Sequence, residues 1–302
     1  MSSPTTSVLY DIPGPRARRR ALISSLVIGL LLIALAVVVI GRLADQDQFS
    51  MEKWGPLIDP SNESFQQVWK LIGEGLGYTL LAAVLAITLS LIVGTVLGVA
   101  RMMAGRYGRL PLVSAIELLR GLPVIVTIYI VWRVFPDWGL DASKLPGPDG
   151  LWFVVFGLTL YNSVIFAEIL RAGVASLPRG QREAGLANGL TNLQTMRIIL
   201  LPQSFRTMLP ALISQLIVVL KDTSLAGLLG VYAELLKSGR DIIGVLVNPL
   251  QTLFVIALIF ITLNFTLSRF AVYLERRLAQ GRGASGTPEV ATVGVSAAGP
   301  TV

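Results

Sequence analysis

The chain has 302 residues, of which 53% are hydrophobic and only 14% charged, and its formal net charge is +7. Soluble domains carry about 25% charged residues, so this composition excludes an ordinary globular protein. Cysteine, histidine and the dipeptide Gly-Lys do not occur, which excludes thiol and imidazole nucleophiles, disulfides, metal sites with Cys or His ligands and a phosphate-binding P-loop.

The apolar residues form six blocks, each long enough to cross a bilayer, because a spanning helix needs about 20 mostly apolar residues. The predicted spans are residues 21–41, 75–100, 111–135, 151–172, 208–229 and 249–268. The predicted fold class is therefore an all-α, polytopic membrane protein.

The first block, which follows the basic stretch RARRR, differs from a secretory signal peptide. Its apolar run exceeds the roughly 7–15 residues of a signal's core, and no small-x-small cleavage site follows it cleanly. We predict an uncleaved membrane anchor. A cytoplasmic basic tail at residues 1–20 would precede it, and the anchor with an extracytoplasmic loop would occupy residues 21–74.

The distribution of lysine and arginine predicts the orientation of the spans. Most of the 25 cationic residues flank the spans on one side, in groups at 16–20, 101–109, 171–206 and 269–282. Cytoplasmic loops carry such an excess, so this side and both termini are predicted to be cytoplasmic. The cations do not form a basic face interleaved with aromatic residues, so we predict no nucleic-acid partner.

Two pairs of opposite charges lie in the third and fourth spans, Glu117 with Arg120 and Glu168 with Arg171. A spacing of three places each pair on one helix face. Charges at membrane depth are usually functional, but we interpret these pairs as structural, with substrate contact by Glu168 as the alternative. Asn162 is a further substrate candidate, although a hydrogen bond between helices would explain it at least as well.

A polar segment, GQREAGLANGLTNLQTMRIILLP, occupies residues 180–202 between the fourth and fifth spans. Gly180 is predicted to cap a first short helix, which would place Glu183 at its third position, near the positive end of the helix dipole. Asn188 and Gly189 are predicted to end that helix with left-handed backbone.

A second short helix is predicted to follow. Thr191 and Gln194 have the spacing of a capping box, and Pro202 is predicted to break the helix where the chain re-enters the membrane. The segment's local chemistry fits a rigid knob for a partner and an amphipathic connector on the lipid headgroups equally well.

The polar segment resembles the EAA loop of ABC-importer permeases, whose pattern is E-A-A-x3-G-x9-I-x-L-P. The matching residues are Glu183, Ala184, Gly189, Ile199, Leu201 and Pro202. Gly185 replaces the third anchor, an alanine. Glycine in a helix interior lowers helix stability by about 1 kcal/mol relative to alanine. Gly185 therefore either allows closer approach by a partner or is merely tolerated.

Flanking segments resemble the polar amino acid branch of that family, in particular its glutamate and glutamine permeases. They are RGLPVIV at 120–126, FAEILRAGVASLPRGQREAG at 166–185, LPQSFRTMLPAL at 201–212 and LKDTSLAGLLG at 220–230. The resemblance covers about residues 75–275. It implies a MetI-like permease core of five spans there, preceded by the extra first span, with a coupling loop at 172–207.

The resemblance also implies a mechanism and a set of partners. The loop's short helix would dock on a separate ATP-binding subunit, which holds ATP and magnesium, so no cofactor is expected on this chain. A second permease subunit, either a copy or a paralogue, and an extracytoplasmic amino-acid-binding protein would complete an importer in a bacterial cell membrane.

Residues 276–302 are predicted to form a disordered cytoplasmic tail.

Lys221 and Asp222 lie about 13 residues into the fifth span, roughly 20 Å from its cytoplasmic start. Neighbouring residues point about 100° apart on a helix, so the two charges do not simply neutralise each other. An ammonium group would suit a substrate carboxylate, and an aspartate a substrate amine. Together with Thr223 and Ser224, they form either part of the substrate path or a structural clasp with a neighbouring helix.

Two other functions fit the sequence less well. A secondary amino-acid transporter would need a coupling-ion site and often has inverted repeats; no internal repeat is visible, and such a transporter would leave the polar segment unexplained. An intramembrane protease is unsupported, because the sequence GASG at 283–286 follows the last span and no histidine could activate its serine. The predicted function is an importer permease, with the secondary transporter as the alternative.

Overall fold

The computed structural model describes residues 14–140 and 142–280, and within them every regular element is a helix. The α-helices are α1 Pro15–Asp45, α2 Met51–Ile58, α3 Phe65–Met103, α4 Arg106–Gly121, α5 Val124–Val134, α6 Leu151–Ala175, α7 Arg179–Ala187, α8 Asn192–Thr195, α9 Leu201–Thr207, α10 Leu209–Asp222, α11 Ser224–Leu229, α12 Leu235–Leu246 and α13 Pro249–Gln280. A π-helical turn, Met196–Leu200, joins α8 to α9.

Five helical stretches in these residues are long and apolar enough to cross a membrane. They are Pro15–Asp45, Phe65–Met103, Leu151–Ala175, Leu209–Leu229 and Pro249–Tyr273. Each contains one of the predicted spans or nearly coincides with it. The predicted all-α, polytopic class is therefore confirmed.

The third span predicted at 111–135 is not one straight helix. The structure has two helices there, α4 and α5, which meet at an angle of 105°. Pro123 has no backbone N–H and disfavours helical backbone at the residue before it, and Leu122 is indeed extended, with φ −79° and ψ 142°. With 11 residues, α5 spans only about 16 Å, which is half of the hydrocarbon thickness.

Other boundaries also shift. Helix α3 begins at Phe65, so the end of the loop predicted before residue 75 is helical, and α2 lies within the same loop. Helix α13 continues to Gln280, so the boundary of the disordered tail predicted at 276 is too early. Residues 1–13 of the predicted basic tail and residues 281–302 lie outside the described residues.

Helices α3 and α6 pack with their backbones unusually close together. Small buried residues recur at every fourth position of α3: Ala82, Ala86, Ser90, Gly94 and Gly98. A Cβ atom on Gly94 would lie 2.7 Å from both the Phe166 Cβ and the Ser163 carbonyl oxygen of α6. Such rows of small residues let membrane helices approach closely, which strengthens van der Waals contact.

The opposite side of α6 is packed in the same way by α5. A Cβ atom on Gly157 would lie 2.5 Å from the Ile128 Cα, and the Thr127 hydroxyl donates to the Gly157 carbonyl over 3.0 Å. More than half of the residues of α6 are buried. Helix α6 is therefore the centre of the bundle, between α3 and α5.

We expect Gly94→Ala to lower the free energy of unfolding by roughly 1–3 kcal/mol, because the new methyl group has no room against α6. Gly77→Ala is the matched control, since Gly77 also lies on α3 and has no neighbouring atom within 4 Å of an added Cβ. Thermal unfolding of both variants in the same detergent would show the difference. Equal unfolding temperatures for the two variants would contradict the close α3–α6 contact.

Candidate functional site

The first short helix of the polar segment, α7, begins earlier than predicted. Pro178 precedes it in extended backbone and Arg179 is its first residue, so the predicted cap at Gly180 is wrong. Glu183 consequently lies in the middle of α7 and is exposed, as is Ala184. Glu183 does not meet the helix's positive end and is free to contact a partner.

The predicted start of α8 is confirmed, and α7 does end at Asn188 and Gly189. The left-handed backbone predicted for Asn188 is wrong, since its φ is −81° and its ψ is 11°, and only Gly189 adopts it. Gly189 has φ +80°, and the Leu190 N–H donates to the Gly185 carbonyl over 3.2 Å, which closes the first helix. Thr191 and Gln194 form the complete capping box, with hydrogen bonds of 2.8 and 3.3 Å. Gly185, Gly189, Thr191 and Gln194 thus hold the segment in one conformation.

The predicted helix break at Pro202 is wrong. Helix α8, the π-helical turn and α9 follow one another without interruption, with Leu201 and Pro202 as the first two residues of α9. In a regular α-helix, the proline would leave the carbonyl four residues earlier without its donor. The wider π turn absorbs this defect, and the chain leaves helical backbone only at Met208.

Gly185 allows a close approach within the segment itself. It is buried, and an added Cβ would lie 2.7 Å from the Thr195 Cγ2 and 3.0 Å from the Ile199 Cδ1. The side that Gly185 leaves open is therefore occupied by this chain's own second helix. The expectation that the glycine admits a partner is replaced by an internal packing role.

The polar segment is also fixed directly to α6. An added Cβ on Gly173 would lie 2.3 Å from the Ser204 Oγ, and this hydroxyl donates to the Leu170 carbonyl over 3.1 Å. Because Ser204 lies on α9, movement of the polar segment would be passed to the central helix through this contact.

The two predicted ion pairs are both present and belong to one network. Arg171 pairs with Glu168 on α6, and the Arg120 Nη1 lies 3.9 Å from the Glu117 Oε2 on α4. Arg101 of α3 joins them, since its Nη1 donates to Glu168 over 2.7 Å and its Nη2 lies 3.8 Å from Glu117. Sequence reasoning had used Arg101 only as a topological charge.

Asn162 lies at a helix contact and is fully buried. Its Nδ2 donates to the Leu158 carbonyl over 2.9 Å, and its Oδ1 accepts from the Gln215 Nε2 of α10 over 2.8 Å. Gln215 was missed, although a glutamine inside a predicted span is a signal for such a contact. These bonds link α6 to α10.

Lys221 lies at the end of α10 and is exposed. It lines a cavity of about 390 Å³ with Ser224 and three residues of α13, Phe260, Ile261 and Asn264. In the described part of the chain the Lys221 ammonium group has no hydrogen bond or ion pair, and the buried Asn264 Oδ1 has no partner. The structure thus offers this cavity a cation and an open acceptor.

The residues next to Lys221 use their side chains locally. Helix α10 ends at Asp222, which is half-buried. The hydroxyls of Thr223 and Ser224 donate to the Leu220 and Lys221 carbonyls over 2.7 and 2.8 Å. The predicted path residues therefore do not meet in one site. Asn162 pairs with Gln215, and Glu168 pairs with arginines. Lys221 and Ser224 line the cavity against α13.

Sequence reasoning also missed a buried carboxylate at the start of α12. Glu234 is 0% exposed and accepts from the Leu236 and Lys237 backbone N–H groups over 2.8 and 2.9 Å. Burial raises the pKa of Glu234 to about 7, although these two hydrogen bonds oppose the shift. An added Cβ on Gly227 would lie 1.7 Å from the carboxylate, so this glycine makes room for it.

A family model described as "Binding-protein-dependent transport system inner membrane component" matches residues 86–280. The glutamate transport system permease protein GluD of Corynebacterium glutamicum is 41% identical over 241 residues, which are 80% of this chain and 85% of that protein. The glutamine transport system permease protein GlnP of Escherichia coli K12 is 34% identical over 208 residues, 69% of this chain and 93% of that protein.

Solved structures are similar as well. The crystal structure of an amino acid ABC transporter with histidines has a TM-score of 0.62 at 28% identity, covering 71% of this chain and 97% of the solved chain. An inward-facing structure of the MetNI methionine ABC transporter has a TM-score of 0.59 at 18% identity, covering 69% and 96%. The second similarity bears on the fold alone.

We expect Gly185→Ala to lower the free energy of unfolding by roughly 1–3 kcal/mol, because its methyl group would overlap Thr195. Thr195→Ala alone should change little, since the buried Thr195 hydroxyl has no hydrogen-bond partner. The double variant should recover most of the loss. Thermal unfolding of the four proteins forms a double-mutant cycle.

Gly180→Ala is the control for this cycle, because an added Cβ there has no neighbour within 4 Å. If Gly185→Ala and Gly180→Ala unfold alike, or if Thr195→Ala gives no recovery, the internal packing role of Gly185 is wrong.

Proposed function

The chain belongs to the family of binding-protein-dependent inner membrane transport components, and from that premise we propose that it imports glutamate or glutamine. It is the multi-pass, non-catalytic permease subunit of an ABC importer for polar amino acids, with the MetI-like fold. The substrate proposal is supported by the names of the relatives at 41% and 34% identity. Membership of this family separates the chain from secondary amino-acid transporters, which do not need an ATP-binding partner.

The observation that carries the mechanism is the construction of the polar segment. Its exposed surface on α7 includes Glu183 and Ala184, while its inner side is closed by Gly185 and Thr195. We infer that an ATP-binding subunit holds the exposed surface in the cytoplasm. Closure of the ATP-binding subunits around ATP and magnesium would then move α7, α8 and α9 as one unit.

The contact of α9 with Gly173 passes this movement to α6. The network of Arg101, Glu117 and Glu168 joins α6 to α3 and α4 near the same end of the bundle. These helices therefore respond together, as alternating access requires of a helix bundle that rocks around a fixed site.

The remaining partners follow from the same proposal. A second permease subunit, either a copy or a paralogue, would complete the pathway, and an extracytoplasmic amino-acid-binding protein would deliver the substrate. Both termini would then be cytoplasmic, with α12 and the loop that contains α2 on the outer side. The excess of arginine around 16–20, 101–109 and 171–206 supports this orientation.

We expect a P-loop ATPase to co-purify with the wild-type chain from its own membranes in mild detergent, and to be lost with Glu183→Lys. Reversing this exposed charge leaves the inner packing of the segment intact. Glu63→Lys is the matched control, since it reverses an exposed charge in the loop proposed to lie outside. An intact, monodisperse wild-type protein without an ATPase would contradict the proposal.

For the substrate path, we expect Lys221→Met to reduce uptake of labelled glutamate by at least tenfold, because its ammonium group is the open cation of the α13 cavity. Lys70→Met removes an exposed lysine elsewhere and should transport normally. Assembly with the ATPase must remain intact in both variants. Loss of assembly with Lys221→Met would instead assign the residue a structural role.

A further inference from the structure

Two neighbouring cavities lie at the end of α3, away from Lys221 and Asn162. The first, of about 330 Å³, is lined by four arginines, Arg101, Arg109, Arg171 and Arg182. The second, of about 520 Å³, lies against α3 and has an almost wholly apolar lining that includes Val96, Val99, Ala100 and Leu193. Met103 and Met196 line both cavities, so the two adjoin.

The first cavity carries more positive charge than its neighbours neutralise. Glu168 pairs with Arg101 and Arg171, and Glu117 lies 3.8 Å from Arg101. Arg109 is exposed, and its guanidinium group has neither an ion pair nor a hydrogen bond among residues 14–140 and 142–280. No acidic residue lines this cavity, and the buried Arg101 Nε has no partner.

Thr95 and Arg197 also line the second cavity, but the surface that the lining presents is almost wholly apolar, so this cavity does not suit an ion. The cavity opens at the surface of α3 that faces away from the bundle, where Val96 is 62% exposed. A hydrocarbon chain suits such a lining. A single ligand that fills both cavities must therefore carry an anionic group and an apolar chain.

We propose that the two cavities together bind one anionic phospholipid, with its phosphate among the arginines and an acyl chain in the apolar groove along α3. Basic pockets between helices at the cytoplasmic face are suited to anionic headgroups. The proposal rests on the proposed orientation, which places this end of α3 at the cytoplasmic headgroups. A carboxylate on a protein partner would explain the arginines but leave the apolar groove empty.

The lipid would also touch the polar segment. Arg182 belongs to α7 and donates to the Asn192 Oδ1 over 3.0 Å, and Met196 begins the π-helical turn. Arg101 and Met103 belong to α3. A bound phospholipid would therefore connect the polar segment to the membrane-spanning bundle. This connection would add to the one that Ser204 already makes with α6.

The test uses the full-length chain, purified with the subunits that remain bound to it and placed in nanodiscs. These contain phosphatidylcholine alone or with phosphatidylglycerol, and native mass spectrometry measures the lipid retained. We expect retention of phosphatidylglycerol, reduced about fivefold in Arg109→Gln. Arg106→Gln removes a charge three residues away, outside both cavities, and should retain lipid like the wild type.

Ala100→Trp tests the groove, because its side chain would fill the space of the acyl chain. Val84→Trp is its control, since Val84 is 61% exposed on α3 and lies outside both cavities. We expect loss of lipid only with Ala100→Trp. Inorganic phosphate at millimolar concentration should not displace the lipid from the wild-type protein.

Three results would overturn the proposal: equal retention of both lipids by the wild type, equal loss with Arg109→Gln and Arg106→Gln, or displacement by phosphate together with normal retention in Ala100→Trp. The last would indicate a site for a free anion. Uptake of glutamate is measured separately on the same variants in cells. Lipid retention without glutamate uptake would contradict the proposed substrate and leave the lipid site supported.

Discussion

The whole architecture depends on how closely other segments approach the backbone of α6. Glycines at three places make this possible: Gly94 and Gly98 on α3, Gly157 facing α5, and Gly173 facing α9. In a bilayer, helices gain little from hydrophobic burial, so close van der Waals contact and hydrogen bonds must hold them together. A side chain at any of these positions would push a neighbouring helix away from the centre.

This arrangement explains why the polar segment can be small. It needs no large interface with the bundle, because Ser204 contacts α6 directly and the Arg101 network ties α6 to α3 and α4 nearby. The segment's own rigidity comes from the Thr191 capping box and from Gly185. A force applied at α7 therefore reaches the central helix through short, packed contacts rather than through flexible loops.

Much of this could be predicted from the sequence. Long apolar blocks located five spans that are single helical stretches and a sixth that is bent, and local capping chemistry located Gly189 and Thr191 correctly, because these features depend on nearby residues. The errors involve competing local effects. Pro123 broke a block that hydropathy alone treats as continuous, whereas Pro202 was accommodated by a change of helix type that no spacing rule reveals. The roles of Arg101 and Gln215 depend on helices distant in sequence, so only the folded arrangement shows them. Glu234 instead caps its own helix, α12, through local hydrogen bonds.

The π-helical turn at Met196–Leu200 fixes the rotational setting of everything after it. Such a turn holds one residue more than an α-helical turn, and one residue corresponds to about 100° of rotation around a helix axis. Ser204 faces Gly173 only with that residue present. The extra residue therefore determines which face of α9 meets α6, and with it the side of the central helix to which the polar segment is attached.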